Sequence, residues 1–143
     1  MDAIRRALQG PGRFPAELRA ELAYEGLLAC EEGLVGSISY RNYRSPERSS
    51  PWSREAICGA VALSRRRLVV WDGRVRHIDL DLALLHGGAA LDVRTDRADR
   101  LVIGYDAAQY RDRCSGQVEI RLRTPRAGHI ARTYAASVPM TPR

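Results

Sequence analysis

From Ile57 to Leu63 the chain alternates one set (Ile57, Gly59, Val61, Leu63) with a second face of alanines and a cysteine (Cys58, Ala60, Ala62). A period of two marks a strand, and an apolar set on each side marks one covered on both faces. A chain holding such a strand must build a sheet and lay something across each side of it.

The flanking segments supply the rest of a sheet. Leu27 to Cys30 and Leu34 to Tyr40 form one long or kinked strand, interrupted by a turn or bulge signal at Glu31-Glu32-Gly33. After a turn at Ser64 to Arg67 comes Leu68-Val69-Val70-Trp71, and Asp72-Gly73 is the strongest short hairpin signal in the chain, leading into a strand from Arg74 to Asp79. Leu91-x-Val93-x-Thr95, Leu101 to Tyr105 and the alternating Val118, Ile120, Leu122 complete about seven strands in meander order.

Helices are expected at the two ends. Pro15 opens Ala16 to Leu22, with Leu18 and Leu22 one turn apart and Glu17 near the positive end of the dipole. Ile4 and Leu8 suit an earlier helical turn, broken at Gly10-Pro11-Gly12. At the far end Thr124 caps and Pro125 begins a helix placing Ala127, Ile130, Ala131 and Tyr134 on one face. The expected organisation is a helical arm over residues 1–26, one β-rich domain over 27–138 and a tail over 139–143. A length of 143 residues suits a single core. No apolar stretch reaches the about 20 residues of a membrane span, no signal sequence is visible, and a cytoplasmic protein is expected.

The residues Ala60 to Trp71, with Arg65-Arg66-Arg67-Leu68 at their centre, resemble the strand-turn-Arg-Leu-strand hairpin of bacterial pleckstrin-homology-like proteins, and the order of elements from Leu27 to Ala136 is similar to theirs. The chain resembles actinobacterial members of that group. The resemblance implies an α+β, mostly β fold: a pleckstrin-homology-like barrel of about seven antiparallel strands, plugged at one open end by a C-terminal helix, with the short N-terminal helical arm as an addition. It also implies a binding module, with the first hairpin loop as the cradle for a headgroup and basic residues on both flanking strands. Arg41 fills the first-strand position, whereas residues 56–63 carry no basic residue.

Residues 41–55, polar and punctuated by Pro46 and Pro51, read as an unusually long loop. Arg41, Arg44, Arg48 and Arg54 with Tyr43 and Trp52 put cations beside aromatic surface, the combination a phosphate-bearing or peptide ligand uses, and these six are the candidate ligand-binding residues. All 23 basic residues are arginine, as a GC-rich coding bias produces, and the net charge of +6 favours an anionic partner.

Catalysis is not expected. His77 and Asp79 share a strand face, and with Asp81 or His86 invite a metal reading, but no second pair at ligand spacing supports it. Cys58 beside His77 is the other conceivable pair, yet it sits in the most apolar strand, where a thiol stays inert. No cofactor or metal is expected, and three widely spaced cysteines make neither a disulfide framework nor a metal knuckle. The expected function is a non-catalytic interaction module for a protein or peptide partner or an anionic lipid or phosphate ligand. A nucleic-acid binder is the alternative, weakened by Asp92, Asp96, Asp99, Asp106 and Asp112 on the later segments. An enzyme using His77 and Asp79 or Cys58 is the third. Barrel edges and an apolar arm also suit a homodimer.

Overall fold

In the computed structural model, residues 12–71, 76–84, 91–110 and 113–138 are described, less the side chains of Arg76, His77 and Leu84. The elements are α1 (Ala16–Tyr24), β1 (Leu27–Arg44), β2 (Ser49–Ser64), β3 (Arg67–Trp71), β4 (Arg76–Asp81), β5 (Asp92–Arg97), β6 (Arg100–Asp106), β7 (Ser115–Arg123) and α2 (Ala127–Ser137). The seven strands form one curled, half-barrel sheet in the order β4-β3-β2-β1-β7-β6-β5, every pair antiparallel. The fold is the expected mostly-β one, with a helix at each end. The expected turn at Ile4 and Leu8, the Asp72-Gly73 turn and the tail lie outside the described residues.

Strand β1 organises the sheet. It pairs with β2 over its whole length and with β7 from Gly36 onward, so its second half belongs to both halves of the barrel. The bulge signal at Glu31-Glu32-Gly33 is a register shift between Glu31 and Leu34, with Gly33 at a φ of 68°. The strand bends there and still continues, as a bulge permits. Its inward row, including Leu34 and Ile38, joins Val61, Leu63, Leu101, Ile103, Ile120 and Leu122 in the core.

Helix α2 covers this core from the β5 and β6 side. Thr124 is buried, its Oγ1 accepts the Arg126 N–H (3.1 Å), and the helix starts two residues after Pro125. Ala127, Ile130 and Tyr134 face inward, and the Tyr134 hydroxyl donates to the Leu91 carbonyl (3.5 Å).

The second covered face of β2 is closed by the arm. Phe14, Leu18 and Leu22 pack on Ala60, Ala62 and Val69, with Cys30 and Trp71 at the margin. Small residues on the sheet let the helix approach. Glu32 fastens the start of the arm, accepting the Phe14 N–H (2.8 Å) and a guanidinium hydrogen bond from Arg19. Burial, and after it the Glu32 carboxylate, pushes the Cys30 thiol above its ordinary pKa. Cys30 therefore holds less thiolate at pH 8 than free cysteine does. Its alkylation by iodoacetamide, followed by peptide mass spectrometry, is expected to run slower than that of free cysteine; an equal rate would mean the arm leaves it uncovered.

Residues 41–55 are not a loop. Strand β1 runs on to Arg44 and β2 starts at Ser49, so the connection is the tight turn from Ser45 to Arg48, closed by backbone hydrogen bonds of 2.7 and 3.3 Å between those two residues. The prolines misdirect the reading for a physical reason. Pro46 sits in the turn itself. Pro51 lies where β2 has a strand neighbour on one side only among the described residues, and an edge strand accommodates a missing N–H. The partner strand of the first hairpin therefore does carry a basic residue, Arg54.

Candidate functional site

The extension of both strands sorts the six candidate residues onto different surfaces. Outward positions of β1 are Val35, Ser37, Ser39 and Arg41, alternating with inward Leu34 and Ile38. Cross-strand register places Arg41 between Trp52 of β2 and Gln117 of β7, and Ser39 between Arg54 and Glu119. Arg121 follows beside Ser37. The middle position of the second row is a serine flanked by long side chains, so the surface is low there. The result is a shallow groove of about 250 Å³ lined by Ser39, Arg41, Trp52, Arg54, Gln117, Glu119 and Arg121.

The other candidate residues lie elsewhere. Tyr43 is buried, with its ring 4.9 Å from that of Tyr40. Asn42 before it has a φ of 51°, and β1 shifts register against β7 at this point, which turns the last residues of the strand. Arg48 stacks over the Tyr40 ring (4.6 Å to its centre) and bonds Ser53 and Glu55, each at 3.0 Å. It is committed to bracing the turn. Arg44 is exposed next to the turn, away from the groove lining.

Charge in the groove is unevenly compensated. Arg121 is paired with Glu119, approaches Asp96 at 3.9 Å and donates to Ser39 Oγ at 3.3 Å. Glu119 also faces Arg94 (3.8 Å), and Arg100 clamps Asp96 with bonds of 2.6 and 2.7 Å, holding that carboxyl below the usual range. This network ties the β7 wall to β5 and β6. Arg41 and Arg54, by contrast, have no carboxylate within ion-pair distance among the described residues. Trp52 beside them is 59% exposed, which is high for an indole. The Ser37 hydroxyl, on the same outward row, is buried and has no hydrogen-bond partner among the described residues.

Among the described residues, those considered for chemistry lie apart. Asp79 binds Arg67 (2.9 and 3.2 Å), Cys58 is half-buried on the outward face of β2, and the side chain of His77 and all of His86 lie outside the described residues. Among the described residues no cluster of three or more histidines, cysteines or carboxylates has the geometry for a metal ion. Arg126, just before α2, and His129 and Arg132 within it are exposed.

Two features escaped the sequence reading. The β7 wall of the groove was invisible because Gln117, Glu119 and Arg121 meet Arg41 and Trp52 only through strand register. The second is a charged cluster at the arm, where Arg67 meets Glu21 (2.8 Å), Glu25 (3.0 Å) and Asp79 (2.9 Å).

No protein-family model matches this chain, and no curated protein is significantly similar to it.

Proposed function

We propose that this protein is a non-catalytic binding module whose outward groove on β2, β1 and β7 takes an anionic partner. The observation that carries the reading is the pair of guanidinium groups, Arg41 and Arg54, both neighbours of Ser39 and of an exposed indole and neither ion-paired among the described residues. Planar guanidinium groups grip carboxylate or phosphate through paired hydrogen bonds, and Trp52 supplies contact area at small entropic cost. The strand order and the closing helix accord with the pleckstrin-homology-like resemblance, which supports binding as the activity and does not name the ligand. The site of this reading differs from the one the resemblance implies: it is the sheet face, since the hairpin turn is short and its Arg48 is engaged. Among the described residues no helix is long and apolar enough to cross a membrane. A cytoplasmic setting belongs to the same proposal, supported by three unpaired thiols.

The test is a titration with citrate, inorganic pyrophosphate and a Glu-rich heptapeptide, read by indole fluorescence. Saturable quenching is expected, and Arg41→Ala with Arg54→Ala should weaken binding at least tenfold. Both side chains are exposed, so stability should change by no more than about 0.5 kcal/mol. Anion binding that survives the double change would remove the groove as the site. An exposed aromatic among arginines also suits single-stranded nucleic acid; tight oligonucleotide binding that falls steeply with salt, without binding of the other anions, would favour that reading.

A further inference from the structure

Strand β2 pairs with β1 from Ser49 to Ser64, but β3 joins its other side only from Ala60 to Leu63. Among the described residues no strand lies beside the remainder. The arm limits this open edge: a Cβ on Gly12 would come within 2.8 Å of the Gly59 carbonyl oxygen and 2.9 Å of that of Cys58. Residues 49–57 are thus left as an unpaired edge alongside the groove.

The neighbouring ladders show which way the free backbone faces. A Cβ on Gly36 would run into the Arg121 carbonyl oxygen, so Arg121 and the alternate residues of β7 face β1, and the register then sets Gly36, Ile38 and Tyr40 of β1 against Ile57, Glu55 and Ser53 of β2. Backbone groups along a strand alternate sides, so those of Trp52, Arg54 and Ala56 point away from β1, on the side where Ala60 meets β3. The Ser53 and Glu55 side chains are held by Arg48, which keeps this edge straight. Long, unprotected edges of this kind accept a further strand.

We infer that the anionic partner is an extended acidic peptide that adds to β2 as an antiparallel strand along residues 49–57. This rests on the groove being an anion-binding face. In such an addition alternate side chains of the peptide fall beside Trp52 and Arg54, at cross-strand spacings of about 4.5–5.5 Å. Carboxylates at those positions meet Arg54 directly and Arg41 across the groove. Charge also favours an acidic occupant over nearer ones: by sequence, residues 1–11 set Arg5 and Arg6 against Asp2, and a second copy brings another net charge of +6.

The probe is a labelled heptapeptide of alternating valine and glutamate, with two relatives N-methylated on one or the other alternate set of amides. Methylation keeps the charge and removes ladder hydrogen bonds on one side only. One methylated set is expected to bind at least tenfold more weakly and the other about as well as the parent. Ala56→Pro, which spares the β1 ladder because the Ala56 N–H points to the open edge, should lower heptapeptide affinity tenfold and leave pyrophosphate binding intact. If both methylated peptides bind like the parent, strand addition is overturned while the groove stands. If neither heptapeptide nor pyrophosphate binds, the groove reading falls and takes this inference with it. A concentration-dependent dimer abolished by Ala56→Pro would overturn it in favour of a second copy at the edge.

Discussion

Gly36→Ala is expected to cost at least about 3 kcal/mol, a large part of the 5–15 kcal/mol that holds a domain of this kind together. Gly36 is where β1 first pairs with β7 while still paired with β2, opposite Leu122 on one side and Ile57 on the other. A Cβ there would lie 1.8 Å from the Arg121 carbonyl oxygen and 2.9 Å from its carbon. That neighbour is backbone, so no rotamer change relieves the overlap. Neither strand can retreat, because β2 holds β1 and β6 holds β7, with Leu101 opposite Leu122. Relief requires opening the sheet at the junction of its two halves. Gly104→Ala is the control, since its nearest prospective neighbours are at 3.9 Å and ordinary contact suffices; it should cost no more than about 1 kcal/mol. Urea unfolding followed by near-ultraviolet circular dichroism measures both. Equal stability of the two variants would mean β1 and β7 are not continuous, and a groove assembled from β2, β1 and β7 would have no floor.

The same junction explains which parts of the molecule were legible in the sequence. Buried strands announce themselves by alternation, so the cores of β2, β3, β6 and β7 and the inward face of α2 were readable from Val61, Val69, Ile103, Ile120 and Ile130. The outer half of β2 was not. From Ser49 to Ala56 it is wet on both faces, so no period of two survives, and its free edge tolerates a proline that elsewhere would argue against a strand. The arginine and aromatic content of that stretch was visible, and Arg41, Trp52 and Arg54 do share one surface. What they share it with depends on register: Gln117, Glu119 and Arg121 are brought alongside by β7, and the depression exists because Ser39 is short. The alanine face of β2 declared that something covers it. That the cover is Phe14, Leu18 and Leu22 of the same chain follows only from the docking of α1.

Arg67→Met is expected to release that arm. The Arg67 side chain is 17% exposed and gathers Glu25 through Nε (3.1 Å) and a second nitrogen (3.0 Å), Asp79 through another (2.9 Å) and Glu21 at 2.8 Å. Burial alone would lower its pKa; the hydrogen bonds it donates to Glu21 and Glu25 and the charge of Asp79 outweigh that and raise it, so the guanidinium is charged at any pH at which the fold exists. Ser64 joins the cluster, donating from Oγ to Glu25 (2.8 Å) while accepting the backbone N–H groups of Arg66 and Arg67. Methionine preserves the aliphatic stem and deletes the charge. Glu21 is largely exposed and loses little, but Glu25 and Asp79 are mostly covered and would be left as neighbouring anions without Arg67 between them. A cost of about 2–4 kcal/mol follows, or roughly 6–12 °C in Tm for a chain of this size. A nine-residue helix does not persist alone in water, so release of α1 is also its unfolding, visible as lost helical signal. Cys30, covered by the arm, should then alkylate faster. Adding Glu25→Gln to Arg67→Met should recover part of the loss, because it removes the anion rather than restoring the cation. If Arg67→Met leaves both the Tm and the Cys30 rate unchanged, apolar packing by Phe14, Leu18 and Leu22 alone holds the arm, and the carboxylates around Arg67 are surface decoration.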